Sequence, residues 1–534
     1  MDQQNDIALY EKFGCPPINL SFIESQRRRL CFRNERSLYT RKCDATGETI
    51  ISAYSPDKPF KIYKSDYWYG DKWDPLEYGQ EFDFSKNFFE QFEHVHLKVP
   101  RLSLMNVKGV NSDYCNMTYY NKNCYLVFGS DLNENCMYGT LAMRNISCLD
   151  IDYSNENTLC YEICDSINCY GCQFAFDSKN SNGCYFISDC LGCSECILCT
   201  NLVQKSYCIE NKQYSKEEYF EKKKELINGA FSNFKKLFEK FLRLRAKRIV
   251  KFSHTVNCVN CTGDYLKNSK NCINSFDISD SEDLKNVVFA SKSKDCFECG
   301  LLGDGTELCF NVISTFAAYN SKCSQFVIES SDIEYSKYIL NSKNIFGCIG
   351  LRHKQYCILN KQYSAQEYKD LRQRIISHMK QTGEWGQFFP AKLSDCGYNE
   401  TSAHDYFPLK KEEALAQGYL WKDEEQKAPQ PQTVEVPNNI ADTNENIIKE
   451  ILQCESCKKN YKILAQELNF YKKSSIPIPH LCPNCRHRRR MDTRNPRMLL
   501  ARKCQKCLAN LQSSYAPDRP ETVLCEKCYL QEVY

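Results

Sequence analysis

The apolar positions in the middle of the chain recur neither at the 3.6 residues of a helix nor at the two of a lone strand. Cys124, Cys136, Cys148, Cys160, Cys172, Cys184, Cys196 and Cys208 are spaced by twelve every time. Cut at that period, the chain reads NENCMYGTLAMR, NISCLDIDYSNE, NTLCYEICDSIN, with Cys always at the fourth place. Of the fourteen cysteines from 115 to 208, thirteen fall at places 1, 4, 7 or 10. A short fixed period with a sub-period of three predicts stacked coils. It points to a narrow β-solenoid over 109–216, with small residues such as cysteine packed inside. A coil of twelve residues and one of twenty-four, with two strands per turn, both fit this pattern.

A second set occupies 257–365, with one thirteen-residue member, SKDCFECGLLGDG. Here the fourth place also accepts Leu284, Ser321, Ile333 and Ile345, as an apolar interior would and a metal ladder would not. Both sets end alike: YCIENKQYSKEEY (207–219) matches YCILNKQYSAQEY (356–368) at an offset of 149. Ser215 and Ser364 read as helix N-caps, so each stack should be closed by a helix. The first cap region, 217–256, reads as a basic amphipathic helix with Gly229 as a break. Residues 216–251 hold twelve Lys/Arg against five acids. Residues 366–421 predict a second cap helix and an aromatic wrap, and 422–450 a flexible tether. The fold class expected is mainly β, with two solenoids between terminal modules 1–108 and 451–534.

Composition sharpens this picture. The chain has 534 residues, 35 of them Cys, and a net charge of +3. Its first residues lack the apolar run of a signal peptide, so a cytoplasmic, thiol-reducing setting is expected. Eight cysteines stand apart as C-x-x-C pairs: Cys454/Cys457, Cys482/Cys485, Cys504/Cys507 and Cys525/Cys528. Two such knuckles complete a tetrahedral thiolate site, so four predict about two structural Zn²⁺ ions. Sequential pairing is favoured over a cross-braced scheme, giving treble-clef or zinc-ribbon folds. A closed four-thiolate site has no position for substrate. No nucleophile elbow, P-loop, dinucleotide fingerprint or kinase set is present, and a non-enzymatic protein is expected.

Residues 451–534 carry sixteen Lys/Arg and seven Asp/Glu. Residues 10–69 align with 471–530 without a gap at an offset of 461, matching at 19 of 60 positions. RRRLCFRNERSLYTRKC stands against RRRMDTRNPRMLLARKC. Only Cys43 survives of the ligands, opposite Cys504, and one thiolate holds no structural zinc. The arginines outlasted the metal. Two explanations stay open: contact with nucleic acid, RNA favoured, through Arg486, Arg488, Arg489, Arg490, Arg494, Arg497, Arg502, Lys503, Arg27, Arg28, Arg29, Arg33 and Arg36, or internal ion pairs, for instance with Asp57, Asp492 or Asp518. Residues 109–216, with six Lys/Arg and twelve Asp/Glu, read as an acidic protein-binding platform.

Weaker patterns complete the survey. Cys190, Cys193, Cys196 and Cys199 have the spacing of an iron–sulfur run. His254 with Cys258, Cys261 and Cys272 could form a third metal site, and His94 and His96 would share one face of a strand. The strings PHLCPNCRHRRRMDTRNPR, YAPDRPETVLCEKCYLQEV, EWGQFFPAKLS and GYNET resemble Cys-rich zinc-ribbon, treble-clef-like repeat proteins of uncultured bacteria. That resemblance runs along most of the chain and implies two zinc sites on the eight cysteines, but no reaction. The expected function is a zinc-binding scaffold or adaptor with nucleic-acid-binding modules. The alternatives are a protein–protein assembly factor without nucleic acid and a thiol-rich metal-binding or redox protein.

Overall fold

The computed structural model describes residues 3–423 and 429–533. It is mainly β, built largely of parallel strands, with helices at the flanks. The first repeat set forms one nine-stranded sheet in chain order, from Tyr125–Phe128 to Lys212–Gln213. Hydrogen-bonded neighbours are twelve residues apart: Met137 pairs with Leu149, Leu149 with Tyr161, Gln173 with Tyr185. The second set forms sheets of eight, two and five strands, pairing Val327 with Ile339 and Ile333 with Ile345. The step widens to thirteen where Gly300 pairs with Ile313, at the thirteen-residue repeat.

Every third residue turns a corner. Asn123, Leu126, Leu132, Asn135, Tyr138 and Leu141 have φ between 49° and 60°, so twelve residues close into four short sides. Asn and Asp tolerate this left-handed conformation best. That accounts for Asp165, Asn168, Asp177, Asn180 and Asp189 at such corners. The residue after each corner faces inward, and Cys136, Cys148, Cys160 and Cys172 there are fully buried. The Cys136 thiol lies 3.4 Å from the carbonyls of both Glu134 and Asn145. Its neighbours repeat this arrangement, and all the cysteines are unpaired thiols. One inward column is polar. Asn133, Asn145 and Asn157 each donate an amide N–H to the Asn twelve residues earlier, at 3.2, 3.0 and 3.0 Å. A buried amide column holds the register, because a slip would leave every member unpaired.

Each stack ends in a chain reversal, with Cys208 antiparallel to Gln213 and Cys357 to Gln362. Helices Lys216–Leu226 and Ala365–Gln381 follow, with capping boxes on Ser215/Glu218 and Ser364/Glu367. The stacks lie side by side and run in opposite directions. Tyr119, early in the first, stacks on Phe316, late in the second. Late in the first, Asp177 accepts a hydrogen bond from Tyr265, early in the second, at 2.8 Å.

The basic segment is two helices, Lys216–Leu226 and Phe231–Ala246. They break at Gly229, where φ is +77° and a Cβ would meet Ile440 at 2.8 Å. Phe234, Phe238 and Phe241 pack on Phe174, Phe176 and Phe186 of the first stack. Lys223 pairs with Glu195 and Lys240 with Glu210, both at 2.6 Å. Lys235, Lys236, Arg243 and Lys247 face solvent.

Two expectations are corrected. His94 and His96 lie on a helix, Phe88–Lys98, rather than a strand. Phe88, Phe92 and Val95 recur at helical spacing and are all buried, which outweighs the two-residue spacing of the histidines. His96 is buried beside Arg101 and Asp395. The 422–450 segment is not a free tether over its described part; residues 424–428 lie outside the described residues. Ile440 and Ile447 are buried, the Gln430 N–H donates to the Asn460 side chain at 2.8 Å, and the Thr433 N–H donates to the Ile451 carbonyl at 3.0 Å. Apolar residues scattered at irregular spacing through this polar segment anchor it, and no periodic pattern announces them.

Candidate metal centres and the arginine clasps

The C-terminal cysteines gather into two groups, Cys454/Cys457/Cys482/Cys485 and Cys504/Cys507/Cys525/Cys528, with ligand atoms within 4.8 Å of one another in each. Both could hold a metal ion, and the pairs combine sequentially. In each, a first knuckle lies at a hairpin and the second opens a helix, Pro483–Met491 or Glu526–Val533. Cys457 and Cys482 are 3.7 Å apart at sulfur, as are Cys507 and Cys525. That matches the edge of a tetrahedron with metal–sulfur bonds of about 2.3 Å. The Cys482 N–H points at the Cys454 sulfur and the Cys525 N–H at the Cys504 sulfur, both at 3.3 Å. Burial raises the Cys454 and Cys504 thiols, yet backbone N–H groups prevail at these two, while at Cys482 and Cys485 burial prevails. Backbone N–H groups bring Cys454 down to about 7, and those of Cys507, Cys525 and Lys506 bring Cys504 to about 6. Thiolates so stabilised are ready metal ligands.

The N-terminal copy keeps the frame. Its hairpin pairs Tyr39 with Ser52 and Lys42 with Thr49, where the C-terminal one pairs Leu500 with Ser513 and Lys503 with Asn510, each 461 residues on. The Lys64 N–H still points at the Cys43 sulfur at 3.3 Å, in the place of Cys525 and Cys504. Burial opposes the Cys43 thiolate, but hydrogen bonds from Thr46, Lys64 and Ala45 lower its pKa below the ordinary thiol value. Glu24 and Ser21 stand where two knuckle cysteines would be, and they form a capping box on helix Phe22–Leu30 instead.

Most of these arginines are engaged within the chain. Helix Pro483–Met491 lies on the acids of the first stack. Arg486 reaches Asp150 at 2.9 Å and Glu467 at 3.3 Å. Arg490 reaches Asp150, Asp152 and Glu162 at 3.1, 2.7 and 3.0 Å. Both guanidiniums are no more than 1% exposed. Arg489 pairs with Glu162 at 2.7 Å, and Arg494 with Asp165 at 2.9 Å and Asp277 at 2.6 Å. Arg497 holds Asp277 and the Tyr153 hydroxyl. Arg488 and Arg502 donate to backbone carbonyls. Lys503 alone of this set is exposed. Burial opposes the Asp152 carboxylate, but His487 and Arg490 hold its pKa below the usual range.

The zinc-free copy docks the same way on the second stack. Arg29 reaches Glu298 at 3.1 Å and Asn311 at 3.2 Å; Arg33 donates to Ser314 at 2.6 Å. Arg29 and Arg33 align with Arg490 and Arg494. Asn311 and Ser314 stand 149 residues beyond Glu162 and Asp165, and Glu298 stands 148 beyond Asp150, ahead of the thirteenth residue of its repeat. Arg36 donates to Thr140 at 2.7 Å and Arg28 to the Phe389 carbonyl at 3.3 Å. Arg27 donates to Gln417 at 3.2 Å. Asp57, an expected partner of these arginines, is held by Lys422 at 2.8 Å instead. Sequence reasoning missed the true acids because Asp150, Asp152 and Glu162 look like ordinary repeat positions. The duplication of both partners was the available signal.

Each module also adds a strand to the other stack's side of the molecule. Ile62 pairs in parallel with Arg101, just before the first stack, and Val523 with Val250, just before the second. Each module thus joins the start of one stack to the flank of the other, and the two halves clasp each other about a pseudo-twofold relation.

The remaining candidates divide. Cys190, Cys193, Cys196 and Cys199 are successive inward residues of one turn, each thiol within 3.7 Å of a backbone carbonyl; they are not among the groups whose ligand atoms converge within 4.8 Å. His254 does not converge with Cys258, Cys261 and Cys272 but with Asp177 and Asp189 of the first stack. Among the described residues no helix is long and apolar enough to cross a membrane. No family model matches this chain, and no curated protein does. A solved structure from Desulfovibrio desulfuricans G20, provisionally described as an acetyltransferase, is similar at 11% identity over 52% of this chain and 81% of its own, with a TM-score of 0.11; a likeness that slight carries no argument.

Proposed function

We propose that the protein is a non-enzymatic, zinc-binding scaffold: two antiparallel β-solenoids locked side by side by a two-zinc ribbon module and its metal-free copy. The observation that carries this reading is the arginine clasp repeated on both solenoids. It explains why arginines persist where the zinc ligands are gone: they hold the modules to the solenoids. It also fills the acidic face of the first solenoid from within, so that face is not a platform for an outside partner. The solenoid thiols act as small buried packing groups. Metal analysis tests the zinc reading: about two Zn²⁺ per chain, lost on Cys454→Ser with Cys504→Ser, supports it, and iron or a larger thiol-bound complement contradicts it.

A second reading places nucleic acid, RNA favoured, on the outward face of helix Phe231–Ala246. Lys235, Lys236, Arg243 and Lys247 are exposed there with Glu239 as the intervening acid. Salt-dependent binding of RNA, weakened by Lys235→Glu with Lys236→Glu, supports it. Retention of a protein partner after nuclease treatment favours an assembly factor instead.

A further inference from the structure

The two halves are near copies, so a place where one is ionic and the other apolar marks something the fold does not require. Such a place lies where the end of the first stack meets the start of the second. One half holds Asp177, Asp189, Arg248 and His254. At the offset of 149 the other half holds Phe326, Tyr338, Val99 and Met105. Those residues pack as a core, with Phe326 stacked on Tyr338 at 4.9 Å and the Tyr338 and Tyr54 hydroxyls 2.7 Å apart, and the ions of that half, Arg101, Lys337 and Asp395, pair with one another beside it. Buried ions in place of such a core cost desolvation that apolar packing avoids.

The ionic cluster is arranged like a coordination sphere. One ligand atom each from Asp177, Asp189 and His254 lies within 4.8 Å of the others. The His254 Nδ1 is 2.9 Å from Asp264. That fixes the ring with Nε2 turned toward the Tyr515 hydroxyl, 3.4 Å away, and Asp177, 3.9 Å away. A carboxylate behind a histidine, orienting its other nitrogen at a metal, is the usual outer partner of such ligands. Ser514 donates to Asp264 from behind. Arg248 and the Ser188 hydroxyl share one oxygen of Asp189 at 2.7 and 2.8 Å, while the Tyr265 hydroxyl and Arg245 lie 2.8 and 3.6 Å from the oxygens of Asp177. The His254 side chain is 21% exposed, and those of Asp177 and Asp189 are 7% and 11% exposed.

We infer that Asp177, Asp189 and His254 form a third metal site, for a divalent first-row cation such as Mn²⁺ or Zn²⁺, bridging the two stacks. Binding displaces any proton on His254 Nε2 to solvent. Three protein ligands leave coordination positions for water or a small anion, unlike the closed thiolate sites. The site stands apart from the zinc reading, because carboxylate and imidazole accept Mn²⁺ whereas a tetrathiolate site selects softer ions.

The test titrates the full-length protein with Mn²⁺ and reads bound ion by electron paramagnetic resonance. One saturable Mn²⁺ per chain, with nitrogen coupling from a single imidazole, is expected. Asp189→Asn should weaken binding at least tenfold, and His254→Gln should abolish the nitrogen coupling. A wild-type protein that takes up no Mn²⁺ saturably overturns the site and leaves a closed ion network. Uptake with no nitrogen coupling, or unchanged in both variants, overturns it as well.

Discussion

The N-terminal and C-terminal modules share a hairpin, a helix, arginine docking and an N–H···S contact, and differ at five of the six cysteines that the alignment covers. Residues 10–69 do without a metal. They bury Trp68, Phe60, Ile62 and Tyr63, and the sulfur that remains, Cys43, still anchors its turn. In the C-terminal module the turns after Cys504 and Cys454 are open and polar, and Cys507 and Cys457 are exposed. Two four-cysteine groups that could hold a metal ion stand at those turns. The difference teaches that arginine docking and the cysteine ligand set are separable: the arginines dock both modules, and only one keeps the ligands.

The largest effect should come from metal. Structural zinc contributes on the order of 10 kcal/mol to small modules, so a chelator should collapse hydrogen-exchange protection across 451–533. Residues 10–69 should keep theirs. Equal loss in both would break the comparison.

Next is the clasp. Arg490→Ala leaves Asp150, Asp152 and Glu162 without their shared cation and should cost about 3–5 kcal/mol. Arg29→Ala abandons one acid, Glu298, and should cost about 1–3 kcal/mol. Denaturant unfolding reads both, and a larger cost for Arg29 would reverse the ranking of the two docks.

A smaller effect separates the stacks. The inward column of the first is continuous cysteine, while that of the second mixes Cys296 and Cys309 with Leu284 and Ile333. Cys172→Ile should overpack the first stack by about 1–3 kcal/mol. Cys296→Ile, beside Leu284, should cost less in the same assay. The smallest change is at the surface: Lys235→Glu with Lys236→Glu should shift stability by less than about 0.5 kcal/mol.

Much of this was legible in the chain. The period of twelve, the thirteen-residue member, the two duplications and the four knuckles could all be read, because each depends on local spacing. The site of the arginines could not. Arg490 lies 338 residues from Asp152, and only the assembled halves bring them together. His254 is close in sequence to Cys258 and Cys261, yet it precedes the first left-handed corner of the second stack, Asn257, and its ring stacks on Tyr265 and faces Asp177 and Asp189 instead. The described part of 422–450 looked like a tether because its buried anchors, Ile440 and Ile447, keep no helical or strand period.

The central claim is that these arginines fasten the modules to the stacks. A double-mutant cycle between Arg490→Met and Asp152→Asn, read by equilibrium unfolding of the metal-loaded protein, tests it most directly. The clasp predicts a coupling of about 1.5 kcal/mol or more. Costs that add within about 0.5 kcal/mol would contradict it and return the arginines to an outside partner.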